Sequence, residues 1–342
     1  MNETRTFKVA MVGATGAVGE TLLPMLEERH FPVSELVLLA SERSAGSIIH
    51  YGREDIVVRA LSSYDFTGVD IAFFSAGGTV SYEHVPRAVA AGAVVIDNTS
   101  EFRYQSDIPL VIPEVNPEAL AGYTQHGIVA NPNCSTMQML VALAPIQRAV
   151  GIERINVATY QSVSGAGRSG LDALGRETAD LLNFKDVNKP RFSAQIAFNL
   201  IPHIDDFESN GYTREEMKLV WETRKIFADD RIQVNPTAVR VPVFYGHSEA
   251  VHVETREKIS AKQARALLEA APGVEVIDRH EPGGYPTPAG HAAGKDAVFV
   301  GRIREDISHP RGLNMWIVSD NLRKGAALNA VQIAECLVKT YL

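Results

Sequence analysis

Cysteine is scarce. Cys134 and Cys336 are the only two among 342 residues, too few for a disulfide framework, and a reducing cytosol is the simplest home for such a chain. No apolar run approaches the ~20 residues needed to span a bilayer. Cations do not dominate either: 33 Lys and Arg face 41 Asp and Glu, a net charge of −8 with no basic block. That balance argues against nucleic acid and against an anionic membrane surface as partners. The opening residues run into an apolar segment without the pattern of a signal peptide. Repeats and low-complexity segments are missing, and no metal is assigned. The overall content is that of a soluble globular protein, and the length exceeds one ordinary core, which predicts two domains.

What is present begins with Phe7-Lys-Val-Ala-Met-Val12, near-continuously apolar as in a parallel sheet buried on both faces. It ends in Gly13-Ala-Thr15-Gly16-Ala17-Val18-Gly19, and a helix follows over 20–29. Strand, glycine loop and helix form the setting in which backbone N–H groups meet a pyrophosphate. Glycine turns also simply connect strands to helices. The next strand, 35–40, ends in Ser41-Glu42-Arg43-Ser44. Arg43 with two hydroxyls suits the 2′-phosphate of NADP through charge-assisted bonds, whereas Glu42 is the competing signal for NAD. Strands at 69–74 and 93–96 end in Ser75-Ala-Gly-Gly78 and Asp97-Asn-Thr-Ser100, at carboxyl ends where ligands bind in such sheets. Arg103, just beyond, is either an anion clamp or a surface arginine.

The centre of the chain is Asn131-Pro132-Asn133-Cys134-Ser135-Thr136, between the apolar run 127–130 and an amphipathic run over 137–150. It reads as strand, tight turn and helix. Pro132 stops the strand because it cannot donate to a ladder, and Asn133 is a good N-cap type. A thiol at the first helical position faces unpaired N–H groups and the positive end of the helix dipole, which favours the thiolate. The bland alternative is a buried structural cysteine.

From Arg154 on, alternation replaces continuous apolar runs, which predicts a mixed or antiparallel sheet with one face covered. Ser164-Gly165-Ala-Gly-Arg-Ser-Gly170 is a flexible turn opening a helix to about Phe184. A helix over 213–226 carries a capping box, Thr213 to Glu216. Glu215 and Lys218 share one of its faces, an arrangement usually found as a solvated ion pair. Two strands meet at Tyr245-Gly246-His247. Alternation there sets Arg240 opposite Val239, Val241 and Val243, which read as the buried set. His247, alone at a turn, reads first as structural. Cys336, in a final helical run over 325–341, reads as core packing.

Taken in order, these stretches resemble aspartate-β-semialdehyde dehydrogenase, over essentially the whole chain. The carriers include the glycine loop, Ala40-Ser-Glu-Arg-Ser-Ala-Gly46, Asp97-Asn-Thr-Ser-Glu-Phe-Arg103, Asn131-Pro-Asn-Cys-Ser-Thr136, Gln161-Ser-Val-Ser-Gly-Ala-Gly167, Glu215-Glu-Met-Lys218, Gly246-His-Ser-Glu249 and Asp320-Asn-Leu-Arg-Lys-Gly-Ala326. The resemblance implies an α/β fold: a Rossmann-like NADP domain over 1–133, completed by helix 321–342, and an α+β catalytic and dimerisation domain with a mixed sheet over 134–320. It implies NADPH-dependent, reversible conversion of 4-phospho-L-aspartate to L-aspartate 4-semialdehyde with release of phosphate, by a homodimer or homotetramer. By resemblance, Cys134 is the nucleophile and His247 the acid/base. Arg240 grips the substrate carboxylate, Glu215 the amine, and Gln161 orients the thioester. Arg103 and Lys218 hold phosphate. Gly13, Thr15, Gly16, Ala17, Val18, Arg43, Ser44, Ser164, Gly165 and Asn321 contact NADP. The chemistry itself adds Asn133 and the Cys134 N–H as oxyanion donors. Rival readings are an N-acetyl-glutamyl-phosphate reductase, whose acetylated nitrogen would give Glu215 no charge to pair, a non-catalytic NADP-binding paralogue, and a Cys/His hydrolase that would not need the glycine loop.

Overall fold

The computed structural model describes residues 5–188 and 190–342; the opening residues, on which the absence of a signal peptide was read, lie mostly outside that range. The chain divides into two units, one ending at Pro132 and resuming at Ala326–Leu342, the other spanning Asn133–Gly325.

The first unit contains β1 (Phe7–Val12), α1 (Ala17–Glu28), β2 (Val33–Ala40), β3 (Ile48–Tyr51), β4 (Glu54–Val57), β5 (Arg59–Ala60), β6 (Ile71–Phe74), α2 (Gly78–Ala90), β7 (Val94–Asp97) and β8 (Ile128–Ala130). Six of the strands make one sheet, ordered β5-β2-β1-β6-β7-β8, and every pairing in it is parallel. β6 and β7 are buried at every position, which is why their sequences do not alternate. The β3–β4 hairpin stands apart as a two-stranded sheet. Its strands are short and half exposed, too weakly patterned for the sequence to announce them.

The second unit opens with α3 (Cys134–Val150), then β9 (Ile152–Gln161), α4 (Arg168–Leu182), α5 (Arg214–Phe227), β10 (Gln233–Arg240), β11 (His247–Thr255), α6 (Ala261–Glu269), β12 (Val274–Val276), β13 (Val298–Glu305) and β14 (Gly312–Ser319). Its sheet runs β10-β9-β11-β14-β13-β12 and is mixed: β9 pairs β10 parallel and β11 antiparallel. α3 is buried without a break from Ser135 to Ala144. A helix apolar all round belongs inside a fold, and α3 packs on this sheet and on α5. α7 (Leu328–Thr340) then returns to the first unit. Its Leu328, Val331, Ile333, Ala334 and Leu337 join the core built by β1, β2 and α1, with Cys336 packed at the edge.

Candidate active site

In the first unit, a cleft of about 500 Å³ opens beyond the carboxyl ends of β1, β2 and β6. Gly13, Thr15 and Gly16 line one side, and Ser41, Glu42, Arg43 and Ser44 another. The glycines are dictated by close approach. Gly13 has φ +90°, and a Cβ there would sit 2.6 Å from the Ser75 carbonyl oxygen. A Cβ on Gly19 would meet the Gly13 oxygen at 2.4 Å. Gly16 caps α1 without a side-chain bond, so the N–H groups of that first turn, from Ala17 and Val18 onward, are left for an anion. This donor set fits a dinucleotide pyrophosphate. Glu42, the competing NAD signal, accepts the Ser62 hydroxyl, while Arg43 is exposed and lines the cleft. Leu61, Ser62 and His84 also line the cleft. They were missed because β5 and α2 carry them there from separate parts of the chain. Arg103 is buried and donates to the Asn98 carbonyl at 2.8 Å, so it is not the surface arginine that the sequence allowed.

In the second unit, three strand ends meet. β9 ends at Gln161 and its parallel neighbour β10 at Arg240, which pair in register. β11 runs the other way, so it begins at the same edge, with His247 next to the Ser248–Tyr160 pair. Arg240 sits on the buried face with Ala238, while Val239 is half exposed. The alternation read from the valines fails at Val239 and Val243, both half exposed, and holds for Val241, which is buried; Arg240, with its guanidinium bonded, is buried too. Its Nη1 donates to the Ser162 carbonyl at 2.8 Å. Burial lowers the Arg240 pKa from its usual value, opposed by Glu215 and Cys134.

Cys134 begins α3 as expected and is half buried. Asn133 caps the helix, its Oδ1 accepting from Ser135 N at 3.0 Å and Thr136 N at 3.3 Å. Its Nδ2 donates to Glu215 at 2.9 Å, and its backbone N–H to Glu222 at 2.7 Å. Glu222 is fully buried and went unnoticed in the sequence, where it looks like any helical acid two turns after Glu215. The thiol turn is thus held by two carboxylates of α5. Close above it passes Gly325, where a Cβ would lie 2.8 Å from the Cys134 Cβ.

Glu215 and Lys218 are not a solvated pair. Their side chains are 7% and 12% exposed and 2.9 Å apart, and Lys218 also bonds Asp205 at 2.8 Å. Burial would raise the Glu215 carboxyl, but the Lys218 ammonium, with Asn133 and Gln161 donating, brings it down to about 2. The two carboxylates in turn hold Lys218 above the ordinary lysine range, against burial. Gln161 Nε2 donates to Glu215 at 3.1 Å.

His247 is fully buried. Burial, then the Arg240 charge, pushes its pKa down to about 3, so the ring is neutral at physiological pH. Nδ1 accepts from the Ser162 N–H at 3.0 Å. Nε2 has no hydrogen-bond partner among the described residues and faces Gly165, whose Cβ, if present, would lie 3.3 Å from Nε2 and 3.0 Å from Arg240 Nη1. Asn321 Oδ1 takes three donors at 3.0 Å: the Ser162 and Ser164 hydroxyls and Gly246 N. Its Nδ2 is buried without a protein partner among the described residues.

Hydride chemistry needs a nicotinamide site, and acyl transfer needs an activated nucleophile. A chain with this dinucleotide fold and this cysteine falls in the class of NADP-dependent dehydrogenases. Residues 8–123 match the family model of the semialdehyde dehydrogenase NAD-binding domain, and residues 143–324 that of the semialdehyde dehydrogenase dimerisation domain. An aspartate-semialdehyde dehydrogenase of Legionella pneumophila is 60% identical over 339 residues, covering 99% of this chain and 98% of that protein. The crystal structure of aspartate semialdehyde dehydrogenase II of Vibrio cholerae complexed with ASA has a TM-score of 0.97 at 59% identity, over 99% of this chain and 100% of that one. That of the Candida albicans enzyme with NADP has a TM-score of 0.76 at 26% identity, covering 97% and 98%. The chain belongs to the aspartate-semialdehyde dehydrogenase family.

Proposed function

We propose that the chain interconverts 4-phospho-L-aspartate and L-aspartate 4-semialdehyde, a step toward lysine, methionine and threonine, as a homodimer in a reducing cytosol. The observation that carries this reading is the single strand edge that gathers Gln161, Arg240 and His247, with the Cys134 helix start tied to Glu215 through Asn133.

Cys134, as thiolate, attacks the acyl phosphate and holds the acyl group as a thioester. Arg240 presents a planar fork to the substrate carboxylate, which a lysine could not match. Glu215, ionised, takes the amine, and this favours a free amino group over an acetylated one. Gln161 orients the thioester, and Asn133, with one of its two Nδ2 hydrogens committed to Glu215, keeps the other for the carbonyl oxygen. Arg103 and Lys218 supply cations for phosphate. In the first unit Gly13, Thr15, Gly16, Ala17, Val18, Arg43 and Ser44, and in the second Ser164, Gly165 and Asn321, contact NADP. When bound, NADP supplies or accepts the hydride.

Cys134→Ala is expected to abolish NADP reduction with aspartate semialdehyde and phosphate while NADP titration still gives a normal Kd. Turnover near wild type in that variant would remove the thioester. N-acetyl-glutamate semialdehyde, run alongside, separates the rival reductase. Sedimentation distinguishes dimer from tetramer.

A further inference from the structure

A second guanidinium stands near Arg240. The Arg240 guanidinium carbon lies 5.8 Å from the centroid of the Phe192 ring, and that of Arg191 lies 5.8 Å from the same centroid. Both are within cation–π range of one ring, and the two cations are no more than about 12 Å apart. They act on each other. Burial lowers the Arg240 pKa first, and the Arg191 charge adds to that effect.

Their settings differ. Arg240 is buried, whereas Arg191 is exposed. Arg191 Nε donates to the Ser169 hydroxyl of α4 at 3.2 Å, and among the described residues no carboxylate pairs with it. The segment that carries it is tied down. The Ile196 and Ala197 N–H groups donate, at 2.7 and 3.1 Å, to one oxygen of Glu177, a buried residue of α4. Phe192 itself packs against the buried cluster that holds Leu174 and Ile196. Arg191 is thus a bare cation held in place beside the buried one, on a chain whose net charge of −8 repels anions at long range.

We propose that Arg191 is a specificity-determining residue that draws the acyl phosphate toward Arg240 by its charge alone and takes no part in the chemistry. The assignment rests on the functional reading above, in which Arg240 grips the substrate carboxylate. The two substrates differ in charge. In 4-phospho-L-aspartate the carboxylate and ammonium cancel, and the phosphate leaves about −2. The semialdehyde is a zwitterion without net charge. A cation outside the binding contacts therefore favours the first and leaves the second almost unaffected. Its pull must fade with salt, because the screening length is about 8 Å at physiological ionic strength.

Steady-state kinetics in both directions, at matched ionic strength and with saturating cofactor, test this. At about 50 mM ionic strength Arg191→Gln should lower kcat/KM for 4-phospho-L-aspartate by roughly three- to fivefold with kcat unchanged. Arg191→Glu repeats the same change of charge, so it should lose about ten- to twentyfold. Arg191→Lys keeps the charge and should stay within about twofold of wild type. At about 0.5 M salt every loss should shrink below about twofold. In all three variants kcat/KM for aspartate semialdehyde, at saturating phosphate, should match wild type, which also shows that they fold. Equal losses for both substrates, losses indifferent to salt, a lysine variant as impaired as the glutamine one, or no loss at all would each overturn the steering role. The functional reading fails separately, if wild type does not oxidise NADPH with 4-phospho-L-aspartate.

Discussion

Arg240 and Arg43 are arginines for different reasons. Arg240 is buried, bonded to the Ser162 carbonyl, and 5.8 Å from the Phe192 ring centroid. Lysine there keeps a charge but loses the fork, so Arg240→Lys should raise the KM for aspartate semialdehyde by roughly tenfold or more. An unchanged KM would put the carboxylate elsewhere. Arg43 is exposed and lines the cleft, with Glu42 engaged by Ser62, and it is the proposed reader of a 2′-phosphate. Arg43→Ala should collapse the NADP/NAD preference measured as the ratio of kcat/KM values. A preference that persisted would pass the role to Ser41 or Ser44.

Elements are what bring such residues together. The start of α1 works because its loop has no side chains where the backbone folds on itself. In Gly19→Ala the new Cβ would lie 2.4 Å from the Gly13 carbonyl oxygen and 2.7 Å from that of Ala14, both backbone atoms that cannot turn aside. The loop must open, and NADP affinity should fall by about tenfold or more, at a stability loss of about 1–3 kcal/mol typical of overpacking. Calorimetric titration with NADP checks the first and thermal unfolding the second; normal affinity would mean that the loop does not cradle the cofactor. On α5 the capping box expected at Thr213 and Glu216 is present with both reciprocal bonds, and it starts the helix so that Glu215, Lys218 and Glu222 fall on the face that serves the Cys134 turn. Spacing placed Glu215 and Lys218 together. It could not show that the face is buried, because burial depends on what packs there.

At the scale of the whole molecule, the buried site makes stability depend on pH. His247 falls from an ordinary 6.5 to about 3 on folding. A depressed value means that the unfolded chain binds the proton more readily, so this contribution is present above about pH 6.5 and is lost as pH falls toward 3. Glu249 works in the opposite direction, since burial raises its carboxyl well above 4.5, and it is common to wild type and variant. The Tm of wild type minus that of His247→Gln should therefore shrink steadily from pH 7 to pH 5. A difference that stayed constant would mean that the ring titrates alike in both states. The sequence alone determined the buried parallel strands β1, β2, β6, β7 and β8, the glycine loop and the helix start at Cys134, because continuous apolar runs, caps and close backbone turns are local and leave a mark within a few residues. It did not determine that Arg240 faces inward, that the Glu215–Lys218 pair is buried, or that Ser162 and Glu222 matter. Those follow from β11 running antiparallel beside β9 and from α5 closing over the thiol turn, and such pairings join residues separated by dozens of positions, beyond the reach of any periodicity.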